Sequence, residues 1–132
     1  MMSLAMNIEL STDCRFADVL GCLEPLDPTY IDNEDDRVHA TISNGLVSIL
    51  AYVENPPSEV VTEGLPQQKD WLVGMRVSFQ YRSAGYESAM RAARSFVEHM
   101  AARTQAEFIL SFQYDSVYAI RDSAGLHFLV DF

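Results

Sequence analysis

The sequence RVHATISNGLVSILAYV, residues 37–53, decides much of the fold. Apolar and polar side chains alternate over residues 37–43, and a second, largely apolar run covers residues 46–53. Asn44-Gly45 separates the two runs, and this pair readily adopts the positive φ angles that a tight hairpin turn needs. The segment therefore predicts a β-hairpin.

Amphipathic patterns on both sides of this hairpin predict two helices and further strands. Helices are expected over residues 14–23 and 86–103, where apolar side chains recur at helical spacing. Strands are expected at residues 4–11, 71–82, 107–113, 116–121 and 126–131. The resulting order, β-α-β-β-β-α-β-β-β, predicts an α+β fold with an antiparallel sheet, both helices on one face and the other face left to solvent or a partner. At this length, residues 1–132 are expected to form one domain.

Two segments lack this periodicity. The first helix is followed by a stretch of about 12 residues that ends in Asp32-Asn33-Glu34-Asp35-Asp36, and this stretch predicts an acidic loop. Residues 54–70 are rich in proline and glycine, and they predict an irregular connection or an insertion at a sheet edge.

The surplus negative charge lies in the first 70 residues. They hold 13 Asp and Glu against 3 Lys and Arg, whereas residues 71–132 hold 6 against 6. Folding does not require such an asymmetry, so it suggests a basic partner, although an acidic run is often only a solvated loop. With a single lysine in the chain, we expect neither nucleic acid nor an anionic membrane surface to be that partner. The N-terminus lacks a secretory pattern, which favours the cytoplasm.

Known catalytic motifs are missing from the sequence. It has no Gly-x-Ser-x-Gly, no glycine-rich phosphate loop and no EF-hand loop. Asp35 with Asp36, or Glu9 with Glu107 if their strands were neighbours, could form a general acid and base, but such pairs arise readily among 19 acids. We therefore predict no catalytic residues.

The candidate metal ligands are also better explained as structural side chains. Cys14 and Cys22 are interpreted as buried apolar residues, too far apart on one helix to form a disulfide. His39 and His127 are interpreted as ordinary strand side chains, and the histidines show no paired spacing. No metal ion and no cofactor are expected.

The C-terminal part of the chain resembles a known family. Residues 75–132 contain, in order, Val77-Ser78-Phe79, Tyr86, an alanine-rich helix over 90–100, Phe108-Ile109-Leu110 and Tyr118-Ala119-Ile120-Arg121. This arrangement is similar to the C-terminal half of the SitI-type immunity proteins, which protect bacteria from toxins passed between sibling cells. The resemblance implies that the protein neutralises a cognate toxin in the cytoplasm by binding it stoichiometrically.

An acidic surface suits that role because toxins that attack nucleic acid have basic clefts. Tight inhibition usually also needs an aromatic anchor inside the charged rim. The predicted toxin-binding residues are Asp27, Tyr30, Asp32, Glu34, Asp35 and Asp36. The alternatives are a small acidic adaptor or regulator that docks another basic protein and, third, an enzyme or ligand-binding domain. A homodimer formed through an edge strand or the exposed sheet face is also open.

Overall fold

The structure, a computed structural model, describes residues 3–132 and contains eight strands and two α-helices. The strands are β1 (Leu4–Ser11), β2 (Tyr30–Asn33), β3 (Arg37–Ile42), β4 (Val47–Ser58), β5 (Val73–Tyr81), β6 (Phe108–Phe112), β7 (Ser116–Asp122) and β8 (Gly125–Phe128). The helices are α1 (Phe16–Leu23) and α2 (Tyr86–Arg103). All strands join one antiparallel sheet in the order β2-β3-β4-β5-β1-β6-β7-β8. The predicted α+β class is confirmed.

The core lies between the helices and one face of this sheet. Central strands β1 and β5 direct alternate apolar side chains toward the helices, and the rings of Phe79 on β5 and Phe96 on α2 meet edge to face at 5.6 Å. Val19 and Leu23 of α1 are fully buried against the same core. Alternation with period two in the strands and a single apolar stripe on each helix produce this two-layer packing. None of the helices within residues 3–132 has the length and apolar character needed to span a membrane.

Most of the predicted elements are confirmed, and the boundaries of β1 and α2 match the predicted ones. The hairpin also forms, with positive φ at Asn44 and Gly45, although its loop is four residues long because Ile42 pairs with Val47. Helix α1 begins at Phe16 rather than Cys14, since the Arg15 main-chain N–H donates to the Asp18 carboxylate at 3.3 Å and caps the helix there. Cys14 therefore lies outside the helix.

The predicted order of elements was wrong by one strand. Part of the expected acidic loop, Tyr30–Asn33, is the edge strand β2, so four strands rather than three separate the helices. All four β2 residues are exposed. This strand is held by main-chain pairing to β3 and not by burial of its side chains. Its sequence therefore has no apolar periodicity from which the strand could be predicted.

The segment after the hairpin also differs from the prediction. Strand β4 continues to Ser58 through an irregularity that leaves residues 54–57 without partners on β5, and its prolines lie in that unpaired stretch. Residues 59–72, which we call the strap, then cross the sheet face opposite the helices, where the Glu63 main-chain N–H donates to the Tyr114 carbonyl. Part of the face expected to be open is therefore covered by the chain itself.

Candidate functional site

Strand β2 forms one free edge of the sheet. Among the strands of residues 3–132 it pairs with β3 alone, with Asp32 opposite His39, and the Glu34 main-chain N–H donates to the Arg37 carbonyl at 2.8 Å. In an antiparallel ladder the main-chain groups alternate in direction, so Asp32 and Glu34 direct theirs toward β3. Ile31 and Asn33 therefore direct their N–H and C=O groups away from the sheet.

The predicted acidic residues are distributed along this edge. Asp27 lies in the turn before β2 with φ 54°, Asp32 lies within β2, and Glu34, Asp35 and Asp36 form its connection to β3. All five side chains are exposed. Within residues 3–132, Glu34 is the only member of this set with an ion pair, at 3.9 Å from Arg37. The structure thus brings the predicted carboxylates together along one edge, and four of them have no ion-pair partner among the described residues.

Tyr30, the predicted aromatic anchor, is exposed in the free protein. The residue is 52% exposed, and its ring meets the His39 ring at a centroid distance of 6.0 Å. The His39 Nε2 atom in turn lies within hydrogen-bond distance of the Ser48 hydroxyl, at 2.9 Å. Ile31, whose side chain projects to the other face of the sheet, is 49% exposed. The edge therefore presents two large side chains, one on each face, whose burial would be gained only on binding.

Sequence reasoning missed the free main-chain groups of this edge. The available signal was the dipeptide Tyr30-Ile31, an aromatic and a β-branched residue inside a stretch otherwise typical of a loop.

The structure also neutralises part of the acidic half of the sequence. Glu9 and Glu54 both pair with Arg76, at 3.0 and 3.2 Å. Asp18, which is buried, pairs with Arg103 at 3.2 Å. The remaining ten acids among the first 70 residues are exposed. Arg76 itself is only 8% exposed, so this pairing occupies its guanidinium and leaves little of it for a partner.

Glu9 is the most enclosed carboxylate of the group, with a fully buried side chain. It accepts main-chain hydrogen bonds from Val61 at 2.8 Å and Thr62 at 3.1 Å, and a third from the Thr62 hydroxyl. Burial alone would lower the pKa of the Arg76 guanidinium, but the hydrogen bond and charge of Glu9 and the charge of Glu54 raise it. This network attaches the strap to the sheet. The strands of Glu9 and Glu107 are neighbours, but Glu9 lies opposite Ile109, Glu107 aligns with Ser11, and the oxygens of Glu9 accept from Arg76 and the strap.

Other titratable groups are structural or lie on the surface. Burial raises the pKa of the Cys14 thiol to about 12 and that of Cys22 to about 11, so both are neutral, unreactive side chains. The His127 Nε2 atom lies 3.1 Å from the Asp122 carboxylate on an exposed turn. A hydrogen bond from the Ala124 main chain, with help from His127, lowers the pKa of Asp122. Within residues 3–132, no three His, Cys, Asp or Glu side chains come close enough together to hold a metal ion.

A broad depression of about 790 Å³ lies beside α2 and is open to solvent. Tyr86, Met90 and Phe132 supply apolar surface, while Glu87, Glu98, Arg91 and Arg94 contribute balanced charges. It offers no convergent set of polar groups that would orient a small ligand.

The chain matches no protein-family model, no curated protein and no solved structure.

Proposed function

We propose that this chain is a cytoplasmic immunity protein that binds and neutralises a cognate toxin with a basic active-site cleft. The contact surface is the acidic edge, defined as Asp27, Tyr30, Ile31, Asp32, Glu34, Asp35 and Asp36. The observation that carries the proposal is the arrangement of five exposed carboxylates along a free sheet edge with two exposed large side chains among them. The resemblance to SitI-type immunity proteins supplies the kind of partner.

The negative charge of this surface affects both the rate of association and the choice of partner. Among residues 3–132, the one ion pair that these five carboxylates make is that of Glu34 with Arg37, so the five acids and this arginine together carry a net charge of −4. Such a field accelerates encounter with a cationic cleft and repels acidic proteins. Because the charges are exposed, most of their effect falls on the association rate and weakens as salt shortens the Debye length below about 8 Å.

Affinity on such a surface has to come from the apolar side chains inside the charged rim. Tyr30 and Ile31 are about half exposed, and burying the rest of both side chains would add a few kcal/mol of hydrophobic free energy, at about 25 cal/mol per Å². Tyrosine is also enriched among residues that dominate binding energy. The acidic residues therefore speed association with the toxin, and burial of Tyr30 and Ile31 supplies most of the affinity.

The test is growth rescue. The chain is co-expressed with each protein encoded beside its own gene, and rescue from one toxic product supports the proposal. The edge variant Asp32→Asn/Glu34→Gln/Asp35→Asn/Asp36→Asn should lose rescue and associate roughly 10- to 100-fold more slowly.

A matched control removes the same number of exposed charges elsewhere, as Asp13→Asn/Glu59→Gln/Glu63→Gln/Asp70→Asn. It should rescue like the wild-type protein. Equal loss in both variants would mean that only total charge matters, and the acidic edge would not be the contact surface. Binding to a basic neighbour that is not toxic would instead identify an adaptor.

A further inference from the structure

We infer that the partner adds a β-strand to the free edge of β2, extending the sheet from eight strands to nine. This inference rests on the proposed function and concerns the same surface. The main-chain groups of Ile31 and Asn33 point away from β3 and meet none of the other strands in the described part of the chain, so β2 offers two N–H donors and two C=O acceptors to an incoming strand.

The side chains of β2 specify the chemistry of that strand. Asp32 lies on the face of His39, its partner on β3, whereas Ile31 lies on the helix face opposite Ala40. Side chains directly opposite one another on paired strands interact, and opposite charges there are stabilising. The added strand should therefore alternate, with Lys or Arg beside Asp32 and apolar residues beside Ile31. The remaining carboxylates of the acidic edge favour further basic residues at both ends of that strand.

A second copy of this chain does not fit the same edge. When two β2 strands pair antiparallel in the register centred on Asp32, the two Asp32 carboxylates lie directly opposite each other. A shift by two residues places Asp32 opposite Glu34 in one direction and opposite Tyr30 in the other, and in all three registers the five exposed carboxylates of one copy approach the same five of the other. Like charges directly opposite destabilise a strand pair, and charged edges commonly protect sheets from self-association. The occupant is therefore a basic strand of another protein.

The test uses a synthetic six-residue peptide alternating lysine and valine, added to the ¹⁵N-labelled protein. We expect binding with Kd below about 1 mM and hydrogen-exchange protection of the Ile31 and Asn33 amides. The same peptide with glutamate in place of lysine should not bind. Chemical-shift changes confined to the carboxylate-bearing residues, without protection of these two amides, would overturn strand addition.

Two substitutions at one position separate main-chain pairing from side-chain contact. Ile31→Pro removes an N–H that points away from β3, and proline is tolerated on edge strands. It should weaken peptide binding and toxin rescue at least tenfold. Ile31→Ala keeps the N–H and should weaken binding less than Ile31→Pro does. Asn33→Pro provides a second removal of an outward N–H if Ile31→Pro does not fold.

The outcomes distinguish the two proposals. If the wild-type protein and both proline variants rescue growth equally, strand addition is wrong while the immunity function stands. If the wild-type protein binds the lysine peptide with amide protection but rescues growth from no neighbouring product, strand addition stands and the immunity function is wrong. Concentration-dependent dimerisation that Ile31→Pro abolishes would assign the edge to a second copy and overturn the inference.

Discussion

Replacing Glu9 with glutamine should detach the strap from the sheet. Glu9 is fully buried, and its two oxygens accept from Arg76, Val61 and Thr62. Glutamine has nearly the same size, but one of its two terminal atoms donates hydrogen bonds instead of accepting them. The donors that face that atom lose their acceptor, and the buried guanidinium loses one of its two counter-charges.

The magnitude follows from burial. Breaking a buried ion pair by removing one partner costs about 3–5 kcal/mol. Arg76 keeps Glu54 at 3.2 Å, so the lower end, about 3 kcal/mol, is expected. For a domain of this size that corresponds to a fall in Tm of about 10 °C. The loss should be concentrated in the strap, because Val61 and Thr62 hold it through their main-chain N–H groups.

Urea unfolding and hydrogen exchange measure the two effects separately. The amides of Val61 and Thr62 should exchange at least tenfold faster in Glu9→Gln through local opening of the strap, while the amides of β5 should accelerate only as far as the loss of global stability requires. The matched control is Glu54→Gln, which removes the other counter-charge of Arg76 from a partly exposed position and should cost about 1 kcal/mol or less. Equal stability of Glu9→Gln and the wild-type protein, with unchanged exchange in the strap, would refute this account of the network.

Three further predictions concern packing and titration. Gly85→Ala should destabilise the protein by about 1–3 kcal/mol in urea unfolding, because a Cβ there would lie 2.5 Å from a main-chain oxygen of the hairpin loop. The exposed Ala84→Ser serves as the control. Cys14 and Cys22 should resist iodoacetamide at pH 8 until the protein unfolds, as mass spectrometry would detect, since burial raises their thiol pKa values to about 12 and 11. The free energy of unfolding should fall as pH rises from about 9 to 12. In the unfolded chain these thiols ionise near pH 9.0 and the Tyr114 phenol near pH 10.0. In the folded protein burial raises the pKa of Tyr114 to about 12, so the unfolded state loses its protons first. A flat profile over that range would contradict these assignments.

Local periodicity was sufficient to predict the elements that bury a full face. Helix α2 and strand β1 each present an unbroken apolar stripe to the core, so their bounds could be read from spacing alone. Strand β2 could not be found in this way, because its four residues are exposed and only pairing with β3 defines it. The strap was equally hidden, since a few long-range hydrogen bonds to Glu9 and Tyr114 hold it in place rather than any pattern of its own.

The candidate site likewise has one feature that the sequence predicts and one that depends on the fold. The predicted carboxylates are neighbours in sequence, so their proximity required no tertiary information. The outward main-chain groups of Ile31 and Asn33, on which strand addition depends, exist only because β2 pairs on one side and ends the sheet.

The fold class could be predicted from residue order, because the apolar periods of strands and helices are local, and the total charge follows from composition. Which of those charges face solvent depends on the three-dimensional packing. Glu9 and Asp18 belong to the acidic half of the chain, yet arginines 67 and 85 residues away pair with their buried carboxylates. Burying a charge is unfavourable unless an opposite charge is brought to it, and that partner is selected by folding rather than by sequence position.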